Sequence, residues 1–287
     1  MKIISTASIK GGTGKTTVLL LVSRAIASTG KKCLIIDLDV NNSASRAFMP
    51  QNVREYDPMG KKNAAAALLS TEDDFLEYIV PSIVPNIDIL RSHPQLTRVN
   101  FTQMLLKNKI QKSALDDEYD YVFIDTPATY YSLHVMAYQV SDIILTPVNP
   151  SQFDFSPLQQ LGINIQEDIG VEKLENWKIV FNKVKPENQT SQKDYFQLYE
   201  NNFSKYIVNP KIPDTVKTRE CIDRNQLTEP GLFPRGLHAR IICDDGCMRC
   251  GLHAERLEGF KGSPLRTPVR VVPGHAHILG RLQHDRR

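Results

Sequence analysis

The 287-residue sequence predicts an α/β fold, a doubly wound and mostly parallel sheet flanked by helices. Three observations carry this. An apolar run, Ile3 to Ile9, is followed by a glycine-rich stretch and a second apolar run, Val18 to Ala27, which reads as strand, turn and helix. Another run, Cys33 to Asp37, completes strand–helix–strand within 37 residues, a unit that demands parallel pairing. Within Tyr119 to Pro127 a further buried, hydrophobic strand ends in a carboxylate, Asp125.

Composition bounds the rest. Hydrophobic residues make up 41% and charged residues 23%, ordinary for a globular chain. The first residues are already strand-like and read as no secretory signal. No stretch approaches the roughly 18 apolar residues of a membrane span. Cys33 and Cys221 read as isolated thiols of a reducing compartment. The net charge of +3 is unevenly divided. Residues 1–227 hold 18 Lys and 7 Arg against 26 acids, whereas 228–287 hold 1 Lys and 9 Arg against 6 acids. The second segment also holds five of the seven His and no Asn. This shift predicts two units, a main domain over 1–227 and an atypical Arg/Gly/His-rich tail over 228–287. The tail reads as a replaced end, from a shifted reading frame, an insertion junction or a fusion.

Lys10-Gly11-Gly12-Thr13-Gly14-Lys15-Thr16-Thr17 sits between the first strand and helix, where a phosphate-binding loop belongs. Glycines let the backbone wrap closely around phosphate oxygens, and the helix N-terminus favours an anion. Lys15 is placed for the β/γ-phosphates and the Thr16 hydroxyl for Mg²⁺. The helix from Thr16 has apolar positions at Val18, Leu21, Val22, Ala25 and Ile26, and Gly30 stops it. Ile9 stands where the general motif has its first glycine, and Lys10 adds a second lysine at the loop's start. In this the loop resembles the deviant phosphate loop of the ParA/MinD ATPases, with Lys10 as their signature lysine.

The resemblance extends to about residue 225. Asp37-Leu38-Asp39-Val40-Asn41 resembles the family's D-x-D-P-Q segment, with Val40-Asn41 in place of Pro-Gln, a departure that predicts a looser turn. By that match Asp39 positions the attacking water near the γ-phosphate and stands with Thr16 and Asp125 as a metal residue, and Asp37 helps organise the site. Residues 43–80 read as helical, with Ala64 to Leu69 a strong helix former and Asp73 to Val80 a shorter one. Pro81 and Pro85 bracket a loop before a strand at Asn86 to Leu90. Residues 98–115 suit an amphipathic helix with Phe101, Met104, Leu105 and Leu115 inside. Its Lys107, Lys109 and Lys112 form either a solvated face or a phosphate-backbone contact. Asp125 ends the next strand, and Asp125-Thr126-Pro127-Ala128 resembles the family's D-T-P-P. The match implies that Asp125 holds Mg²⁺ through a water and that Thr126 lies near the γ-phosphate.

Asp142 to Val148 and Trp177 to Asn182 read as later strands. Gln152, Phe153 and Ser156 resemble the family segment leading into a dimer-interface helix. Asn182, at a strand's carboxyl end, resembles the asparagine that reads the adenine edge, and it also suits a turn cap. Asp194 to Phe203 resembles an exposed helix with aromatic anchors, and Ile212-Pro213-Asp214 resembles the loop that packs on the base. Lys205, Lys211, Lys217, Arg219 and Arg224 are candidates for a DNA-facing surface.

The resemblance implies an Mg²⁺-dependent ATPase that dimerises on ATP, with Lys10 reaching the partner's phosphates. It implies a cytoplasmic, nucleoid-associated protein that binds DNA without sequence preference and answers to a ParB-like centromere-binding partner. The implied work is segregation of plasmid or chromosomal DNA, with no membrane expected. The alternative is a MinD-like membrane ATPase, for which Ile278 to Arg287 holds too few apolar positions for an anchoring helix. An iron protein of the nitrogenase-reductase type needs mid-chain cysteines, and none lies between Cys33 and Cys221. Intact Lys10, Lys15, Thr16, Asp39 and Asp125 argue against an inactive scaffold. In the tail, Cys243, Cys247 and Cys250 resemble a radical-SAM cluster spacing. With His253 they also allow zinc, or they are a chance arrangement.

Overall fold

The computed structural model describes residues 1–49, 61–71, 75–98, 100–129, 132–185, 192–209 and 211–214. The chain runs β1 (Lys2–Thr6), α1 (Lys15–Ala27), β2 (Cys33–Asp37), α2 (Ser43–Phe48), α3 (Ala64–Leu69), β3 (Val80–Pro81), β4 (Ile87–Leu90), α4 (Leu105–Lys112) and α5 (Leu115–Glu118). It continues through β5 (Tyr121–Asp125), α6 (Ser132–Val140), β6 (Ile143–Val148), α7 (Gln152–Asp168), β7 (Trp177–Phe181), α8 (Lys193–Phe203) and β8 (Ile207–Val208). Lys217, Arg219, Cys221, Arg224 and the tail with Cys243, Cys247, Cys250 and His253 lie outside the described residues.

The strands form one sheet in the order β3-β4-β2-β5-β1-β6-β7-β8. Only β3 pairs antiparallel among the described strands; the rest pair parallel, as expected for a doubly wound sheet. The central β1 lies between β5 and β6, so the chain leaves it toward β2 on one side while β5 crosses to β6 on the other. A crevice opens at such a switch point, beyond the carboxyl ends of the strands. The loop after β1 starts there.

Strand side chains alternate between two cores. Cys33, Ile35, Tyr121 and Phe123 pack with α1 and α2 residues such as Val18, Leu21 and Phe48. Leu34, Ile36, Val122 and Ile124 pack on the opposite face with α3, α4, α6, α7 and α8 residues such as Leu68, Leu106, Met136, Leu161 and Tyr199. Both faces are covered, which is why these strands read as unbroken apolar runs. Gly30 follows α1 with φ +88, and its N–H closes on Ala27 O at 3.0 Å.

Several elements differ from the pattern expected of the sequence. Among the described residues of the helix expected over 98–115, only Leu105–Lys112 (α4) is regular helix; the extended backbone at Ser113 ends it, and Leu115 opens the separate α5. Met104 precedes α4 and is 42% exposed, not core. Lys109 is buried and donates to Ser70 O at 2.8 Å, so it ties α4 to the end of α3 instead of joining a basic face. Among the described residues of the short helix expected over 73–80, a 3₁₀ turn, Phe75–Tyr78, forms, and the edge strand β3 follows. Helix α6 is an addition. Among the described residues, no helix is long and apolar enough to cross a membrane.

Candidate nucleotide-binding site

Even–odd alternation builds the floor of the site. Asp37 follows Cys33 and Ile35 onto the α1 face of β2, and Asp125 follows Tyr121 and Phe123 onto the same face of β5. The register sets Asp37 directly beside Asp125. Thr6 follows Ile4 on β1, and Asn182, just past β7, follows Val180. Four polar groups on four strands therefore converge on the N-terminus of α1.

Asp125 has no solvent exposure and accepts from Thr16 Oγ1 at 2.7 Å and Thr6 Oγ1 at 3.0 Å. Burial pushes its carboxyl above the usual range, and the hydroxyls of Thr16 and Thr6 oppose that shift. Asp37 is also fully buried. Its Oδ2 accepts from Ser45 N at 2.8 Å and Ser45 Oγ at 2.7 Å, and its Oδ1 from Asp39 N at 3.1 Å. Burial, then the neighbouring Asp125 charge, raises the Asp37 carboxyl strongly. Asp39 Oδ1 accepts from Asn41 N at 2.9 Å, and Asp39 O from Asn42 N at 2.8 Å. The turn that Val40-Asn41 was expected to loosen is thus closed by hydrogen bonds. Thr126 donates to Thr6 O at 2.7 Å, which ties its hydroxyl to β1.

The loop itself has alternating handedness. Gly12 and Gly14 take φ +76 and +99, a sequence that gathers successive N–H groups into an anion-binding concavity. A Cβ at Gly14 would run into Asn182 Nδ2, so this glycine is required by space as well as by backbone angle. Lys15 is buried, with Nζ 3.4 Å from Ser8 O. Burial lowers its ammonium below the ordinary value, while Asp125 and Asp39 oppose that. Thr13 Oγ1 is buried with no hydrogen-bond partner among the described residues. Thr17 lies in the first turn of α1 and Gly11 in the open part of the loop.

Asn182 is buried, and its Nδ2 donates to Thr13 O at 2.8 Å, so its amide grips the loop here. Pro213 is exposed and bridges to Val184, which sets 211–214 alongside the same strand end. Lys10 makes an ion pair with Asp154, a 2%-exposed carboxylate in the first turn of α7. Asp154 Oδ2 also accepts from Asn149 N at 2.9 Å. Beside this pair Phe153 is 82% exposed, with Lys10 Nζ 6.0 Å from its ring centre. Of the DNA candidates, Lys211 sits 3.5 Å over the Phe196 ring and Lys205 5.7 Å from the Tyr206 ring, both near β8.

Thr6, Ser45, Asp154 and Lys183 escaped sequence reading. Their partners are between 8 and 171 residues away, and only the alternation along β1 hinted at Thr6. No cluster of three or more His, Cys, Asp or Glu suited to a metal ion occurs among the described residues. The oxygens of Thr16 and Asp125, the glycine concavity and the unpartnered Thr13 hydroxyl nonetheless fit a phosphate chain with a hard, oxygen-seeking cation.

A family profile described as an AAA domain matches residues 1–179. An uncharacterized protein of Methanocaldococcus jannaschii is 30% identical over 69% of this chain and 79% of its own length. The sporulation initiation inhibitor protein Soj of Bacillus subtilis is 27% identical over 56% of this chain, and the match spans 63% of Soj, under two thirds of it. A plasmid partition protein of Borrelia burgdorferi, solved bound to AMPPNP, shares the fold with a TM-score of 0.66 at 22% identity, over 84% of this chain and 96% of that one. The chain belongs to this AAA-domain family, as a ParA/MinD-type P-loop protein.

Proposed function

We propose that the chain is an ATP-gated DNA-partition ATPase whose ATPase domain spans residues 1–227, with 228–287 as an appended segment. The observation that carries this reading is the Thr16–Asp125 pair beneath a phosphate loop that begins with Lys10. The AMPPNP bound to the Borrelia relative supports the nucleotide. Bound Mg²⁺ would neutralise charge on the β- and γ-phosphates. Gly11 to Thr17 would cradle the phosphates, and the Lys15 ammonium would offset their charge. Thr16 and Asp125 would hold the metal, with Asp39 beside it, and the Thr6 hydroxyl keeps the Asp125 carboxylate from rotating away. Asp39 would orient a water for attack. Asn182 and Pro213 would flank the base, since both stand at the end of β7 beside the loop.

Lys10 would leave Asp154 and reach a second copy's phosphates, making a homodimer whose two lysines stabilise transition-state charge. That dimer would bind DNA through phosphates, at Lys205 and Lys211 among other residues, and a centromere-binding partner would stimulate hydrolysis and release it. The test is ATP turnover of wild type, Lys10→Ala and Asp39→Ala with DNA present, together with ATP-dependent retention on DNA and on anionic liposomes. Wild type should turn over slowly, each variant at least about tenfold more slowly, and retention should be on DNA. No turnover by wild type with DNA present overturns the enzyme reading; retention on liposomes alone favours a MinD-like role.

A further inference from the structure

Two consecutive residues past β7 hold two consecutive carbonyls of the phosphate loop. Asn182 Nδ2 donates to Thr13 O at 2.8 Å, and Lys183 Nζ donates to Gly12 O at 2.7 Å. Lys183 is exposed, and its backbone has φ 53, a left-handed conformation unfavourable for a residue with a Cβ. The following Val184 is fixed on its other side: its N–H donates to Ile212 O at 3.0 Å, and its carbonyl accepts from Asp214 N at 2.9 Å. The Lys183 backbone is thus anchored from both directions while its side chain reaches back to the loop.

The oxygen and the N–H of a trans peptide point in opposite directions. Gly12 O shares its peptide plane with Thr13 N–H, and Thr13 O shares its plane with Gly14 N–H. Holding both oxygens from the 182–183 side therefore turns both N–H groups the other way. A cation on Gly12 O also polarises that peptide and makes Thr13 N–H a stronger donor. Thr13 and Gly14 belong to the stretch whose left-handed glycines gather N–H groups for an anion.

We propose that Lys183 is a positioning residue for the di- and triphosphate chain of the nucleotide, acting through Gly12 O to aim the loop's N–H groups. This rests on the nucleotide-binding reading above. It assigns Lys183 no contact with the γ-phosphate and no part in the chemical step, so its loss weakens ADP and ATP alike. Lys183→Met keeps the stem and removes the donor, whereas Lys183→Arg keeps a charged donor of similar reach.

The experiment is titration of the full chain with a fluorescent ADP and a fluorescent, non-hydrolysable ATP analogue, with the thermal midpoint of the nucleotide-free proteins measured in parallel. Lys183→Met should bind both probes about five- to tenfold more weakly. Lys183→Arg should bind within about twofold of wild type, and the nucleotide-free midpoints should agree. Wild-type affinity in Lys183→Met overturns the proposal. So does a loss confined to the ATP analogue, or equal losses in the Met and Arg variants. A wild type that binds neither probe overturns the underlying nucleotide reading and this one with it.

Discussion

The floor and the rim of the site are held in different ways. On the floor, Asp37 and Asp125 sit side by side by strand register, fully buried, with hydroxyl or amide donors on both oxygens of each. At the rim, Lys10 is tied to α7 by its ion pair with Asp154, beside the exposed Phe153. Moving a floor carboxylate means breaking sheet pairing or stranding a buried charge. Moving Lys10 costs one ion pair, whose lysine is partly exposed and whose buried carboxylate keeps the Asn149 N–H as a donor. The floor is suited to fixed geometry, and the rim is suited to change.

The largest effect should follow from breaking the floor. Asp125→Asn should lower ATP turnover and the affinity for Mg²⁺ by about 10- to 100-fold, read by turnover against Mg²⁺ concentration. Gly14→Ala strikes where loop and floor meet. It forces a Cβ into Asn182 at a left-handed φ, so the fold should lose about 1–3 kcal/mol, measured by urea unfolding.

Next comes the pH dependence of the floor. The Asp37 carboxyl is raised by burial and by Asp125, so the folded state holds a proton that the unfolded chain has released. Stability contributed by that proton is present below the unfolded value, near 3.9, and is lost as pH rises toward the folded one. Each raised carboxyl contributes a negative slope of up to about 1.4 kcal/mol per pH unit within its window, so Asp37→Asn should make the slope shallower and leave the contribution of Asp125. Urea midpoints from pH 5 to 8 provide the check. The smallest effect on stability belongs to the rim. Asp154→Asn removes a buried charge, keeps an acceptor for Asn149 N–H and leaves only the partly exposed Lys10 unpaired, so it should shift unfolding by about 1 kcal/mol. On the proposed dimer role of Lys10, it should also strengthen ATP-dependent self-association, because Lys10 then has no Asp154 carboxylate to leave; a variant no more associated than wild type in sedimentation runs with ATP would refute this.

The same contrast explains what could be read from sequence. Buried parallel strands announce themselves as apolar runs, so β1, β2, β4, β5, β6 and β7 were legible, and with them the loop and Asp125. Strand β3 has two residues, one of them Pro81, and carries no pattern. Helix α6 is buried nearly all round, from Leu133 to Tyr138, and so lacks the one-sided periodicity that marks a surface helix. The lysines show a further limit. Lys109 and Lys107 look alike in sequence, yet one is buried against Ser70 O. Lys10 was legible as a residue, but its partner Asp154 is 144 positions away. Local chemistry names a donor; only the fold names its acceptor.

The alternation that aims Asp37, Asp125 and Thr6 at α1 also governs how this chain can diverge. Inserting or deleting one residue within β2 or β5 would exchange Asp37 with Ile36, or Asp125 with Ile124, sending the carboxylate into the opposite core and an isoleucine into the crevice. A two-residue change would preserve the facing and shift only the depth. Length variation among descendants should therefore collect in the connections and be purged from these strands, whatever the sequence similarity of the proteins compared.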